Sequence, residues 1–351
     1  MLWLDFHALG LAGNLAAFAV ASVVVWIAGD RLARYSQVIA ERTRLGQAFV
    51  STSFLAVASS LPEMSLASAA ATLGDVDLAA NSLLGGIAIT MIVVALTDLV
   101  VGREPLSIDV QHPVVLLQGA LVIVMLTVAA AGITAGDRPI PRIEVAGVWT
   151  TVLLILYVLS LLLIRRLQRY HPWTPDATPA SQDDEHRAEP ALADASLSQV
   201  VRLTALTTAA VLVAGTVLAF SAHALAEQTG LGSGFVGLLF GGVATSLPEL
   251  SATISSARLK QYEVVFYDAF GTNMCSVVLL LLVDLLYVKG PILGELGRFS
   301  IFAVLLGTAL TAIYLAGLVA RPRRPFWRMG IDSVSVLVVA ATGFVVLFQL
   351  R

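Results

Sequence analysis

Long apolar runs separated by short polar connections set the plan of this chain. They fall at about residues 11–29, 46–72, 78–101, 113–133, 145–165, 199–225, 232–257, 262–287, 298–320 and 330–350. A helix crosses the hydrocarbon core of a bilayer with about 20 apolar residues, and each run meets or approaches that length. Backbone polar groups cannot stay unpaired in lipid, so the runs predict helices; the alternation of a membrane barrel is not seen. Several runs exceed a minimal span, which implies tilt or a break.

Composition agrees with this pattern. The chain is 58% hydrophobic and 13% charged, with a mean hydropathy of +0.87, whereas a soluble domain carries roughly 25% charged residues. An all-α integral membrane protein is expected, with the lipid bilayer and not nucleic acid as its partner. No cleavable signal pattern is evident near Met1, so the first helix is expected to stay. Cys275, the only cysteine, lies within an apolar run; it excludes an intrachain disulfide and reads as a small core residue.

The basic residues orient the bundle. Sixteen of the 21 Lys and Arg fall in alternate connections, among them Arg31, Arg34, Arg42, Arg44, Arg165, Arg166, Arg169, Arg321, Arg323 and Arg324. The positive-inside rule makes those connections cytoplasmic and puts both termini outside. Residues 168–198, rich in Pro, Ala, Asp and Glu, read as a flexible cytoplasmic linker between two five-helix units, 1–167 and 199–351. Within it Asp183, Asp184, Glu185 and His186 read as a solvated charge run.

The two units are related. Ala58-Ser-Ser-Leu-Pro-Glu63 recurs as Ala244-Thr-Ser-Leu-Pro-Glu249, 186 positions later, and the same offset matches Gly46 with Gly232, Phe54 with Phe240, Ser65 with Ser251, Gly85 with Gly271 and Asp98 with Asp284. Register over about fifty residues is the mark of internal duplication. Each unit has an odd number of spans, so the copies enter the membrane from opposite sides as inverted repeats. In transporters built this way the binding site lies at the midplane where the repeats meet.

The motifs carry chemistry suited to a hard cation. A carboxylate at membrane depth is costly and marks a purpose-built polar site, and Glu63 and Glu249 are two of them in matching surroundings. Ser59, Ser60 and Glu63 share one helical turn, as do Thr245, Ser246 and Glu249. Pro62 and Pro248 lack an N–H, so the carbonyls of Ala58 and Ala244 are expected to be released toward a cavity. Two carboxylates, several hydroxyls and free carbonyls make an all-oxygen cage for Ca2+ or Na+; soft metals prefer Cys or His, and neither stands near either motif. In the following spans Asp268, Thr272 and Ser276 share one face, with Ser82, Gly86 and Thr90 as counterparts, so Thr90, Thr272, Ser276 and Asp268 join the candidate ligands.

At these residues the chain resembles the sodium/calcium exchanger family of the cation/Ca2+ antiporter superfamily, whose two repeats each carry Gly-Thr-Ser-Leu-Pro-Glu followed by Gly-Asn-x-x-Gly-Ser-Asn. The resemblance is to a divergent prokaryotic-type member. It implies ten helices, counter-transport of Ca2+ against Na+ or H+ by alternating access, a bacterial or archaeal cytoplasmic membrane, ions held among the second, third, seventh and eighth helices (about 46–101 and 232–287), and no permanent cofactor. A monomeric functional unit is expected. Departures are Ala58 and Ala244 for the family's Gly, Gly86 for Ser, Ile87 for Asn, Thr90 for Asn or Asp, Ser276 for Asp or Asn, and Asp268 for Asn.

Counting charge, Glu63 and Glu249 alone balance one divalent ion, two Na+ or two protons, and this points to an exchange closer to electroneutral than a three-Na+ scheme. Asp98 and Asp284, near the ends of their spans, are expected to be interfacial groups reaching headgroup water, with a gate as the functional alternative. A channel or a degenerate non-transporting membrane subunit remains a rival to the exchanger. An intramembrane hydrolase lacks a nucleophile or a metal-ligand spacing beside the glutamates, so no enzyme is expected.

Overall fold

The computed structural model describes residues 8–42, 60–101, 105–108, 113–140, 143–169, 196–258, 260–287, 289–321 and 328–351, together with Phe6 and Val110. Ser59, Ala58, the first part of the second expected span and most of the linker lie outside the described residues.

Helices follow the apolar runs closely. They are α1 (Gly10–Arg42), α2 (Leu61–Leu73), α3 (Val76–Val101), α4 (Pro113–Ala135), α5 (Val148–Arg169), α6 (Leu197–Thr229), α7 (Ser233–Arg258), α8 (Tyr262–Leu286), α9 (Arg298–Ala320) and α10 (Ile331–Leu350). Nine of them are long and apolar enough to cross a membrane; α2 is described only over its 13 residues. A two-stranded hairpin, β1 (Pro139–Ile140) with β2 (Ile143–Gly147), fills the connection between α4 and α5 and was not expected from the sequence.

Packing repeats as the duplication requires. α3 and α8 are buried along most of their length and touch each other at the centre. Each also packs against the last two helices of the other unit, α3 on α9 and α10, α8 on α4 and α5. α1 and α6 lie side by side at the periphery, α1 leaning on α7 and α6 on α2, and present apolar side chains such as Val20 and Val213 outward. Such exposed aliphatic surface suits lipid contact.

Small details obey the same offset. The α2 to α3 turn closes with Gly74 N–H on the Ala71 carbonyl and Asp75 N–H on the Ala70 carbonyl, and the α7 to α8 turn with Lys260 N–H on Ala257 and Gln261 N–H on Ser256. Gly74 (φ 80°) and Lys260 (φ 62°) both take the left-handed backbone this helix stop demands. Glycine adopts it freely; lysine does so at a cost.

Asp98 and Asp284 correct the expectation of headgroup contact, for both are fully buried. Asp284 accepts from Ile292 N–H (2.8 Å), Gly147 N–H (2.6 Å) and the Thr150 hydroxyl (2.5 Å). Asp98 accepts from Leu106 N–H (3.1 Å) and Gly330 N–H (2.7 Å), with Ser333 as a further partner. Leu106 and Ile292 obey the 186 offset. Gly147 and Gly330 each precede the last helix of a unit, so each aspartate staples the third helix of its own unit to the start of the opposite unit's fifth helix. Asp98, on α3, reaches α10, and Asp284, on α8, reaches α5.

Candidate cation site at the crossing of the two repeats

The crossing of α3 and α7 positions the first carboxyl. Contact here is made backbone to backbone: a Cβ added to Gly85 would lie 2.3 Å from the Leu238 carbonyl oxygen, and one added to Gly237 would lie 2.7 Å from that of Leu78. Only glycine permits this approach. Over Gly237–Gly241 the helix widens into a π-turn before resuming as Gly242–Arg258 with Pro248 inside it. Such turns concentrate at functional sites because they re-aim the side chains that follow. The result brings Glu249 against α3, where the Thr90 hydroxyl donates to its Oε2 at 2.9 Å.

Glu63 enters from the other repeat. In α2 the described helix begins at Leu61, so Pro62 occupies the first turn, where its missing N–H costs nothing. The Ala58 carbonyl expected to be released lies outside the described residues; in α7 Pro248 does lie inside the helix, where the Ala244 carbonyl loses its usual donor. Gly86, which replaces the serine of the resembled motif, lets Glu63 lie alongside: its missing Cβ would stand 3.9 Å from Glu63 Cγ. Thr245, bonded to the Gly241 carbonyl at 3.0 Å, is within hydrogen-bonding range of the Glu63 carboxyl. Both prolines meet α1 at one notch, since a Cβ on Gly29 would clash with the Pro248 ring and touch that of Pro62.

The two carboxyls therefore lie within electrostatic reach of each other, each reached by a threonine of the opposite repeat. Both are almost wholly buried, at 2% and 3% exposure. Glu63 Oε2, Glu249 Oε1, Ser60 Oγ and Ser246 Oγ are buried without a hydrogen-bond partner. A buried polar atom left unpaired costs about 1–3 kcal/mol, so four of them on the two motifs are costly unless something joins them. A cation does so: its charge offsets the carboxylates and its shell uses the free oxygens.

From α8, Thr272 bonds to the Glu249 carboxyl, and Asp268, one turn earlier, is within its electrostatic reach. Ser276 is buried on the same face. The site thus has a third carboxyl that a count of Glu63 and Glu249 alone omits. Among the described residues no three His, Cys, Asp or Glu side chains converge into a closed cage, so hydroxyls and carbonyls must supply much of any coordination.

Sequence reasoning overlooked Cys275. It was read as a core residue remote from both motifs, yet it lies beside Ser60 and within electrostatic reach of Glu63 and Glu249. The signal was available in its spacing, three positions after Thr272 on the inward face of α8. Asn273, also on α8, is fully buried with both amide atoms unpartnered.

A second polar cluster lies where α2 ends, α3 and α7 begin and α6 finishes. Asp75 Oδ2 is 2.6 Å from His223 Nδ1, and Asp75 Oδ1 accepts the Leu78 N–H at 3.0 Å. The surrounding cavity of about 610 Å³ is lined by Asp77, Glu227, Ser233 and Glu295 as well.

Comparison with known proteins agrees with the geometry. Among solved structures the fold is similar to the H+/Ca2+ exchanger CAX (TM-score 0.70, 14% identity, covering 96% of this chain and 86% of that one). It is similar to native YfkE (0.66, 14%, 98% and 97%) and to the sodium-calcium exchanger NCX_Mj soaked with zero Na+ and Ca2+ (0.58, 15%, 96% and 99%). No curated protein matches the chain in sequence. The model of the family described as sodium/calcium exchanger protein matches residues 13–169 and 200–348, one stretch in each repeat. With ten helices in two inverted repeats, and with that match over most of its length, the chain belongs to the sodium/calcium exchanger family.

Proposed function

We propose that the protein is a secondary antiporter that moves Ca2+, or a divalent cation like it, against Na+ or H+, holding the ions between Glu63 and Glu249 and exposing them to each side in turn. The observation that carries this reading is the meeting of the two motif carboxyls from opposite repeats, each with one buried oxygen free of protein partners. Ser60, Ser246 and the Ala244 carbonyl supply neutral oxygens to the same place, the ligand set that hard cations favour. Ser59 and the Ala58 carbonyl would complete the first motif by symmetry. The names of two similar structures, an H+/Ca2+ exchanger and a sodium-calcium exchanger, support Ca2+ as one of the ions.

Alternating access follows from the inverted repeats. Two copies of one unit, inserted in opposite senses, can each take the arrangement of the other, and the shared site then opens to the opposite side. By the positive-inside rule the linker faces the cytoplasm in this reading and the Asp75–His223 cluster the other side. Asp268, on the cytoplasmic side of Thr272, adds negative charge along the inner approach to Glu249.

Uptake of 45Ca2+ into proteoliposomes under separate Na+ and H+ gradients tests the reading and identifies the coupling ion. Glu63→Gln and Glu249→Gln keep side-chain shape and remove charge, so both should abolish counter-ion-dependent uptake. Full uptake by either variant would remove that glutamate from the site. Flux that continues without a counter-ion gradient would favour a channel. Current at a clamped potential reads the stoichiometry, electroneutral if Asp268 takes no part.

A further inference from the structure

We propose that Cys275 is part of the cation site and gives it a ligand for soft divalent ions, Cd2+ in particular, that an all-oxygen cage lacks. The proposal rests on the reading of Glu63 and Glu249 as the ion-holding pair.

The placement of the thiol is the first ground. Asp268, Thr272 and Cys275 follow one another at four and three positions along α8 and so share a side of that helix. Thr272 is bonded to Glu249, and Cys275 continues the same stripe to a position beside Ser60. The thiol is 5% exposed. Its counterpart 186 positions earlier is Ile89, a buried aliphatic residue on α3. The duplicated fold therefore accepts a plain hydrocarbon here, and packing alone does not call for sulfur.

The second ground is what surrounds it. Ser60 Oγ, Glu63 Oε2 and Glu249 Oε1 are each at least nine-tenths buried and without a hydrogen-bond partner. Cysteine in a hydrocarbon core has no such company. Here one soft donor stands among free hard donors, reached from both repeats.

The chemistry then discriminates between ions. Ca2+ gains little from sulfur and is held by oxygen, whereas Cd2+ bonds strongly to thiolate. On binding, the Cys275 S–H bond breaks, a Cd–S bond forms and the proton leaves to water. One carboxylate and the Ser60 hydroxyl can share the ion with the thiolate, so no convergence of three charged groups is needed. An ion held this way leaves slowly and blocks the exchange of others.

The test uses the full-length protein. Block of 45Ca2+ uptake by Cd2+ is titrated in proteoliposomes for the parent, Cys275→Ser and Cys275→Ala, and the sulfur-to-cadmium charge-transfer absorbance of each purified protein is recorded in the ultraviolet. Loss of the soft ligand should raise the Cd2+ concentration for half-block, relative to that of Ca2+ competing at the same site, by about 10-fold or more. The absorbance band should appear in the parent and be missing from both variants. Equal Cd2+ sensitivity in all three with no band overturns the role of the thiol while leaving the glutamate site standing, provided uptake still requires Glu63 and Glu249. Uptake indifferent to Glu63→Gln and Glu249→Gln overturns the site and this proposal with it. The alanine variant excludes rescue by the serine oxygen, and monodisperse elution confirms that each protein is folded.

Discussion

Replacing Asp284 tests whether the matched aspartates are staples or gates. Its two oxygens hold Gly147 N–H, Ile292 N–H and the Thr150 hydroxyl in a fully buried position. In Asp284→Ala the Thr150 hydroxyl can fall back on the Gly147 carbonyl, already 3.1 Å away, but both N–H groups lose their acceptor. At about 1–3 kcal/mol for each orphaned group the loss is about 2–6 kcal/mol. Asp284→Asn keeps one oxygen and turns an NH2 toward one of the donors, so it should cost about 1–3 kcal/mol. Roughly 2 °C per kcal/mol for a chain of this size puts the fall in unfolding midpoint at about 4–12 °C for alanine and about 2–6 °C for asparagine. Thermal unfolding of the purified variants in detergent measures this, and 45Ca2+ flux per folded molecule is measured beside it. Asp98→Asn should behave alike, since Leu106 and Gly330 stand where Ile292 and Gly147 do. An Asp284→Asn protein as heat-stable as the parent but unable to transport would refute the staple and restore the gate.

Other consequences are as direct. Gly85→Ala drives a methyl group into the Leu238 backbone and should cost about 3 kcal/mol or more, read as a collapse in folded yield on size-exclusion chromatography. Thr90→Val removes the hydroxyl that holds Glu249 Oε2 and leaves Thr272 as the remaining hydroxyl on that carboxyl; half-saturating Ca2+ in the uptake assay should shift several-fold, for a loss of about 1 kcal/mol. Burial pushes the Asp75 carboxyl up, but hydrogen bonds from His223, Leu78 N–H and Ser233 outweigh it and hold it below the ordinary aspartate value of 3.8. A depressed folded-state value means stabilisation present at neutral pH and lost as pH falls through that value. The stability gap between the parent and Asp75→Asn should therefore be full at pH 7 and close only below pH 3.8.

Much of this architecture was legible because lipid leaves few choices. Runs of apolar residues had to become helices, and α3, α8, α9 and α10 begin and end within two residues of where the runs do. The 186 offset exposed the duplication, and Glu63 and Glu249 stood out through the cost of charge in hydrocarbon. Partners across helices were harder. Nothing in the local pattern says that Thr90 would meet Glu249 or that Asp284 would meet Gly147, since those pairings depend on which glycines let two backbones touch. Cys275 was missed because it was read by residue type alone, although Thr272, Asn273 and Ser276 stand beside it in the chain. The π-turn at Gly237–Gly241 was hidden too, for it lies where this backbone meets Leu78 and Gly85, far away in sequence.

α1 and α6, at 33 residues each, are about 50 Å long, well beyond a hydrocarbon slab of about 30 Å. Helices of that length lean or reach past the slab, as α1 does after Leu32, and the two share one slant because they pack along each other while resting on α7 and α2. Bilayer thickness then sets their slant, and through the notch at Gly29 that slant bears on both motif prolines. A membrane of longer acyl chains would draw the pair upright, which makes lipid chain length a mechanical input to the candidate cation site.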